Sequence, residues 1–250
     1  MINLKTNEEI KTMRDGGKIL ATILNKISDS IKKDTQTKEL DKLAQELILS
    51  YGAKPSFLGY NGYPYSICIS INDEVVHGLP SGRIIQGGDL VSLDLGIFFN
   101  GFHLDSALTV LVESDKPEFK KSEELIRVAK KSLELGIKEA RPGNYVGDIS
   151  FAIESFVKKN NFSVVRELVG HGIGRNLHED PQVPNFGEKG RGPELVEGTV
   201  IAIEPMISSG NWKVVLANDG FTYKTKDGSL AAHFEHTVAV TEDGPLVLTE

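Results

Sequence analysis

The 250-residue chain carries 35 acidic and 28 basic residues, a formal net charge of −7, and 40% of its residues are hydrophobic. This acidic balance argues against a nucleic-acid surface, and no apolar run approaches the ~20 residues that span a bilayer. The only cysteine, Cys68, allows no internal disulfide and is typical of a reducing cytosol. Composition therefore favours a cytoplasmic enzyme or binding protein over a membrane protein or a nucleic-acid-binding protein.

Two amphipathic helices are predicted before any strand. Apolar side chains recur at three- to four-residue spacing from Ile10 to Ile31, which predicts the first helix. Thr37 can cap the second helix, which ends near Gly52. A strand around residues 67–71 follows the turns after that helix.

The second half of the chain repeats this order. Pro117 is predicted to open a third helix, and Arg141-Pro142-Gly143 to end it. A fourth helix holds apolar positions between 149 and 157, and strands are predicted at 164–166, 200–204, 214–217 and 233–240. Helices grouped apart from largely antiparallel strands predict an α+β fold. Because no long linker interrupts the chain, we expect a single catalytic domain, 1–250. Its two pseudo-symmetric halves would be about 1–116 and 117–250, although many folds alternate helices and strands in this way.

A chemical motif is also doubled. Each half holds a His-Gly pair, then a short apolar strand ending in a carboxylate, then a second carboxylate. The first set is His77-Gly78, the strand 88–94 ending in Asp94, and Asp105; the second is His171-Gly172, the strand 198–204 ending in Glu204, and Glu235. Acids on or beside apolar strands cost free energy unless a positive charge lies among them. A metal site shared between the halves is the first hypothesis, and isolated strand-end or turn residues without function are the alternative.

A predicted hairpin brings two of these acids together. Asn100-Gly101 between apolar runs is the strongest short-range hairpin signal. A two-residue turn there places Gly96 opposite Asp105, and Asp94 then points to the same face as Asp105. The Cα atoms of the two acids would lie roughly 7–8 Å apart, a gap that suits a cation between their carboxylates.

The charge of the four acids favours two cations over one. Glu204 falls in a nearly continuous apolar run typical of a strand buried on both faces, and Glu235 lies between His233 and Thr237 on one face. Four carboxylates and one neutral imidazole carry a charge that two divalent ions balance. Oxygen-rich ligation with one imidazole suits Mn, Fe(II), Co or Zn.

The sequence resembles the type I, bacterial kind of methionine aminopeptidase over essentially the whole chain. The motifs that carry the resemblance are 170–184, 203–206, 234–237, the Asp94–Asp105 spacing, and 70–72 leading into His77-Gly78. The resemblance implies the "pita-bread" fold, a pseudo-twofold pair of α+β halves around a curved antiparallel sheet with flanking helices.

The resemblance also implies roles for the site residues. Asp105 and Glu235 would bridge two divalent metals, Asp94 would chelate one of them, and His171 and Glu204 would hold the other. Glu204 would be the general base, and His77 and His178 would contact the substrate. The implied reaction is removal of the N-terminal methionine from nascent polypeptides and peptides, with a small second residue preferred. We expect a monomer that contacts the ribosome transiently.

By the same resemblance, the methionine side chain would lie among six residues. They are Phe57, Tyr60, Tyr63, Cys68, Leu177 and Phe221. Such side chains suit an unbranched thioether. Three of them depart from the commonest bacterial pattern, which has a small residue at Phe57, Phe at Leu177 and Trp at Phe221.

Four other classes of protein fit the sequence less well. Proline-specific dipeptidases and aminopeptidases share the five ligands but usually carry an additional N-terminal domain, and only 76 residues precede His77 here. Type II enzymes carry a helical insertion for which the interval from His178 to Glu204 leaves no room. Binding proteins of the same fold have lost ligands that this chain keeps, and a two-metal phosphoesterase fits the ligand order poorly.

Overall fold

The computed structural model describes residues 2–114 and 119–250. The α-helices of these residues are α1 Asn7–Ser30, α2 Thr37–Ser50, α3 Lys120–Glu139 and α4 Val146–Lys159. The strands are β1 Lys54–Pro55, β2 Cys68–Ile71, β3 Glu74–Val76, β4 Leu90–Phe99, β5 Phe102–Leu111, β6 Ser163–Val164, β7 Gly170–Gly172, β8 Glu179–Val183, β9 Val200–Ile203, β10 Met206–Ser208, β11 Val214–Leu216, β12 Tyr223–Thr225, β13 Ala231–His233, β14 Glu235–Thr241 and β15 Gly244–Val247. The predicted order of helices and strands in each half is confirmed. Pro117, the predicted start of the third helix, and the predicted boundary between halves lie outside the described residues.

The helix starts follow from local side-chain chemistry. Thr6 caps α1, accepting a hydrogen bond from the N–H of Glu9, whose carboxylate in turn accepts from the N–H of Thr6. The predicted cap of α2 at Thr37 is wrong by one residue, because Gln36 is the capping position. The Thr37 hydroxyl bonds instead to the backbone of Ser81, accepting from its N–H at 2.8 Å and donating to its carbonyl at 3.0 Å.

A curled antiparallel sheet forms the centre of the molecule. Its strand order is β1-β4-β5-β14-β9-β7-β8, with β2 and β15 paired to β4 and β14. Every pairing between the described strands is antiparallel. Together with helices on its apolar faces, this sheet confirms the predicted α+β class.

The hairpin β4–β5 has the predicted register. Asn100 and Gly101 both adopt positive φ, 47° and 92°, as a type I′ turn requires. Gly96 therefore pairs with Asp105, and Asp94 with Ala107. Because no register shift interrupts this pairing, Asp94 and Asp105 share one face of the sheet.

Long-range pairing then brings the second half against this hairpin. Glu235 of β14 pairs with Ala107 of β5, and His171 of β7 pairs with Ala202 of β9. The strands β4, β5, β14, β9 and β7 are consecutive neighbours, so the candidate ligands come from adjacent strands of one sheet.

Several predicted strand bounds need correction. The predicted strand 233–240 is two strands, β13 and β14, interrupted at Phe234, and β9 ends at Ile203 so that Glu204 lies just beyond it. The strands predicted at 164–166 and 214–217 are shorter, at β6 and β11. These short strands belong to two small three-stranded sheets, β13-β10-β6 and β11-β12-β3. Their bounds depend on pairing between segments that are distant in the sequence.

Two large apolar clusters hold the helices onto the sheet. One joins α1 and α2 to the β2 and β4 side, and the other joins α3 and α4 to β9 and β14. Each fully buried Leu or Ile in these clusters contributes about 1.5–3 kcal/mol relative to an exposed position. No helix of the described residues is long and apolar enough to cross a membrane.

Candidate metal centre

Five potential metal ligands converge on the concave side of the sheet. Asp94, Asp105, His171 and Glu235 are buried, with exposed fractions of 8%, 4%, 9% and 2%, and the side chain of Glu204 is 13% exposed. One ligand atom each from Asp105, His171 and Glu235 lies within 4.8 Å of the other two. Glu204 Oε1 lies 3.6 Å from His171 Nε2, which brings the fourth carboxylate to the same cluster.

The strand that carries His171 is packed closely between its neighbours. A side chain at Gly170 would meet the carbonyl oxygen of Ala202 at 2.4 Å, and one at Gly172 would meet that of Asp180 at 2.1 Å. Glycine is therefore required on both sides of His171, because the neighbouring backbones approach too closely for a side chain. Pairing of β7 with β8 and β9 thus fixes the backbone that carries the His171 imidazole.

Burial is the main cause of the raised pKa values of the acids in this cluster. Burial raises the pKa of Asp94 to about 6 and that of Glu204 to about 8. Burial, and then the neighbouring carboxylates, raise the pKa of Asp105 and of Glu235 well above their usual range. Acids that resist ionisation in the protein alone are strongly favoured to ionise beside a cation.

Unpartnered oxygens provide a direct test of whether a metal fits. Asp94 Oδ1 and Asp105 Oδ1 are buried and have no hydrogen-bond partner among the described residues. Buried carboxylate oxygens without donors are costly, and divalent cations are the partners that such oxygens accept. The donor set, four carboxylates and an imidazole, therefore fits divalent metal ions.

The hydrogen bond of His171 fixes the tautomer that metal binding needs. His171 Nδ1 lies 2.9 Å from the carbonyl oxygen of Gly172, and because a carbonyl only accepts, Nδ1 carries the proton. Burial lowers the pKa of His171 to about 3, so the ring is neutral and Nε2 holds a free lone pair. This is the arrangement seen when an imidazole ligates a metal.

Two further histidines line the cleft beside this cluster. His178 Nδ1 lies 2.7 Å from the Tyr60 hydroxyl, and its ring meets that of His171 edge to face with 4.3 Å between centroids. Desolvation by the surrounding protein lowers the pKa of His178, and lowers that of His77 to about 4. Both rings are therefore neutral hydrogen-bonding groups at neutral pH.

One cavity of about 210 Å³ brings together every residue predicted for the site. Its wall holds Phe57, Tyr60, Tyr63, Cys68, His77, Asp94, Asp105, His171, Leu177, His178, Glu204, Phe221 and Glu235. Acids and histidines line it together with aromatic and aliphatic side chains. The wall is therefore partly ionisable and partly apolar.

Two residues near the site were not predicted from the sequence to belong to it. Asn61 also lines the cavity, in a turn where its φ is 48°, and no pattern in the sequence distinguishes it. His233 is 1% exposed, and its Nε2 lies 3.6 Å from Glu204 Oε2. Strand alternation from Glu235 places His233 on the same face, so this signal was present in the sequence.

A curled antiparallel sheet around a buried cluster of acids and an imidazole defines the class of metal-dependent hydrolases with the pita-bread fold. The profile of metallopeptidase family M24 matches residues 11–242. The chain belongs to this family and, within it, to the methionine aminopeptidases of bacteria.

Full-length similarity supports this assignment. The chain is 48% identical over 249 residues to methionine aminopeptidase of Clostridium perfringens and 47% identical to methionine aminopeptidase 1 of Bacillus subtilis, covering all of this chain and 99% of each relative. A crystal structure of methionine aminopeptidase from Thermotoga maritima matches with a TM-score of 0.96 at 43% identity, covering all of both chains. The prolidase of Pyrococcus furiosus matches with a TM-score of 0.77 at 25% identity, and this chain covers 65% of it.

Proposed function

We propose that this chain removes the N-terminal methionine from nascent proteins and peptides, with a small second residue preferred, using two divalent metal ions and Glu204 as general base. The observation that carries the proposal is the cavity whose wall holds five potential ligands together with aromatic and aliphatic side chains. The names of its full-length relatives, at 46–48% identity, support methionine as the residue removed.

The placement of the side chains supports the ligand roles that the resemblance implies. Asp105 and Glu235 come from the two neighbouring strands at the middle of the cluster, which suits them to bridge two ions. Asp94 would hold one ion, and His171 and Glu204 the other. Bound Mn, Fe(II), Co or Zn would supply Lewis-acid polarisation of the scissile carbonyl and a water of lowered pKa.

Glu204 is suited to take a proton. Burial raises the pKa of its carboxylate to about 8 in the metal-free protein, and bound metal would ionise it, so that it could accept a proton from water. Its backbone carbonyl accepts a hydrogen bond from Asn185 Nδ2 at 3.0 Å, which fixes the residue beyond the end of β9. The held proton is then available to the amine that leaves.

The two cleft histidines would contact the substrate from the same side. In our proposal the Tyr60 hydroxyl donates to His178 Nδ1, which leaves the proton of the neutral ring on Nε2. That N–H can stabilise the negative charge that develops on the scissile carbonyl oxygen. His77 would contact the amide nitrogen of the bond that is cut.

The apolar end of the cavity suits an unbranched side chain. The Tyr63 hydroxyl donates to the carbonyl oxygens of Ile67 and Gly78, at 3.1 and 2.9 Å, and so is already engaged. Its ring meets that of Phe221 at 5.6 Å between centroids. Cys68 and Leu177 are buried beside them, and burial raises the pKa of the Cys68 thiol, so this wall is uncharged. A thioether fills such an irregular apolar space well.

The direct experiment compares three peptides. Protein reconstituted with Mn²⁺ or Co²⁺ is incubated with Met-Gly, Met-Leu and Ala-Pro peptides, and free amino acids are measured. We expect methionine from Met-Gly, less from Met-Leu, and no alanine from Ala-Pro. Alanine release without methionine release would instead assign a proline-specific peptidase. A single catalytic domain of two halves, a cytoplasmic location, a monomeric state and a transient ribosome contact stay predictions.

A further inference from the structure

His233 is a buried imidazole that the proposed chemistry does not use. It is the last residue of β13, and its backbone is fixed on both sides by Thr109. The N–H of His233 donates to Thr109 Oγ1 at 2.9 Å, and that hydroxyl donates to the carbonyl of His233 at 2.8 Å. The backbone of His233 is therefore held against β5.

The ring nitrogens of His233 are unpartnered within the described part of the chain. The oxygen that faces the ring is Glu204 Oε2, 3.6 Å from Nε2. This separation exceeds a hydrogen bond, and a movement of about 0.7 Å would bring the pair to ordinary N–H···O distance. Because a buried N–H without an acceptor costs free energy, that movement is favoured.

The imidazole on the other side of Glu204 cannot donate to it. His171 Nε2 lies 3.6 Å from Glu204 Oε1, but the proton of this neutral ring is on Nδ1, bonded to the carbonyl of Gly172. The lone pair on Nε2 faces the carboxylate. Of the two imidazoles that flank Glu204, His233 is thus the one that can supply a donor.

We propose that His233 is a positioning residue for Glu204, donating its Nε2–H to Oε2 and so orienting the carboxylate with Oε1 toward the cleft. This inference rests on the proposed role of Glu204 as general base. A second hydrogen-bonded group behind a reactive carboxylate commonly fixes its orientation, and loss of such a partner costs about 10–100-fold in activity.

Two substitutions at His233 distinguish the effect of its N–H donor from the effect of the volume of its ring. His233→Leu keeps an apolar side chain of similar size, and His233→Gln restores an N–H donor. We expect kcat on a Met-Gly peptide to fall about 10–100-fold in His233→Leu, with KM within about twofold, and to stay within about threefold of wild type in His233→Gln. Equal kcat in wild type and a folded His233→Leu would overturn the inference, as would an equal loss in both variants.

Nuclear magnetic resonance of the ring tests the hydrogen bond without activity. In metal-free protein labelled with ¹⁵N-histidine and studied above the Glu204 pKa of about 8, we expect His233 to be the Nε2–H tautomer, with a proton shift that changes in Glu204→Gln. The same N–H signal should persist after loading with Zn²⁺. An Nδ1–H tautomer, or loss of the Nε2 proton on zinc binding, would overturn the inference. A wild-type protein that fails to release methionine would remove the proposed function and leave this measurement intact.

Discussion

At the scale of single residues, one hydrogen bond connects the rim of the cleft to its polar end. Tyr60 is 36% exposed, yet its hydroxyl lies 2.7 Å from His178 Nδ1. The turn that presents Tyr60 is fixed by Gly59, whose N–H donates to the carbonyl of Tyr63 at 2.7 Å. Tyr60, predicted only to line the methionine pocket, is therefore also placed to determine which ring nitrogen of His178 carries the proton.

Tyr60→Phe removes this hydroxyl and keeps the ring. We expect kcat for methionine release to fall about three- to tenfold, the size of one neutral hydrogen bond, with KM little changed. Tyr51→Phe is the matched control, because its exposed hydroxyl accepts from Lys26 of α1 at 3.1 Å and Tyr51 is not part of the cavity wall. An unchanged kcat with a raised KM would mean that Tyr60 contacts the substrate but does not act through His178.

At the scale of elements, the loop between β7 and β8 is anchored to the start of the chain. Lys5 Nζ bonds to Glu179 Oε2 at 2.6 Å, with side chains only 4% and 2% exposed. Arg175 pairs with Glu9 of α1, and the N–H of His103 donates to the carbonyl of Gly174 at 2.7 Å. These contacts hold the segment that carries Leu177 and His178.

Lys5→Met is expected to be strongly destabilising. It leaves the buried Glu179 carboxylate without its cation, and breaking a buried pair in this way costs about 3–5 kcal/mol. Urea unfolding followed by circular dichroism measures the loss. Lys42→Met breaks an exposed pair with Glu46 and should change stability by no more than about 1 kcal/mol. Similar losses in the two variants would mean that Lys5 does not anchor the loop.

The elements differ in how far the sequence predicts them. The hairpin register was predictable because Asn100-Gly101 and the period-two alternation are local. Thr37 was misplaced because its hydroxyl is captured by Ser81, forty-four residues away, and no local pattern shows that contact. The break at Phe234 likewise depends on β13 pairing with β10 while β14 pairs with β5 and β9. His233 was predicted to share a face with Glu235, but its approach to Glu204 was not, because that contact joins segments that meet only in three dimensions.

At the scale of the whole molecule, the buried acids make the stability of the metal-free protein depend on pH. Glu204 has a folded pKa of about 8, and Asp105 and Glu235 are also raised, whereas unfolded acids titrate near about 4. A raised folded pKa gives stability that is present at low pH and lost as pH rises through the folded value. Below about pH 6.5 the neutral, buried His171 has the opposite effect, because its folded pKa is about 3.

The melting temperature of chelated protein should therefore fall by at least about 4 °C between pH 6.5 and 8.5. Protein loaded with Mn²⁺ should lose this dependence, because its carboxylates are already ionised beside the metal. Differential scanning calorimetry of both forms in matched buffers gives the comparison. A chelated protein whose melting temperature stays level or rises over this range would contradict the assignment of these buried acids.

Methionine release and metal content, measured on the same samples, test the central claim most directly. Wild-type protein and Asp105→Ala are chelated, titrated with Mn²⁺, and assayed with a Met-Gly peptide. We predict that wild type releases no methionine when chelated and regains full activity as it binds two equivalents of metal. Asp105→Ala, which lacks a proposed bridging ligand, should regain less than about 1% of that activity. Full methionine release by metal-free wild type, or full recovery in Asp105→Ala, would contradict a metal centre built on this cluster.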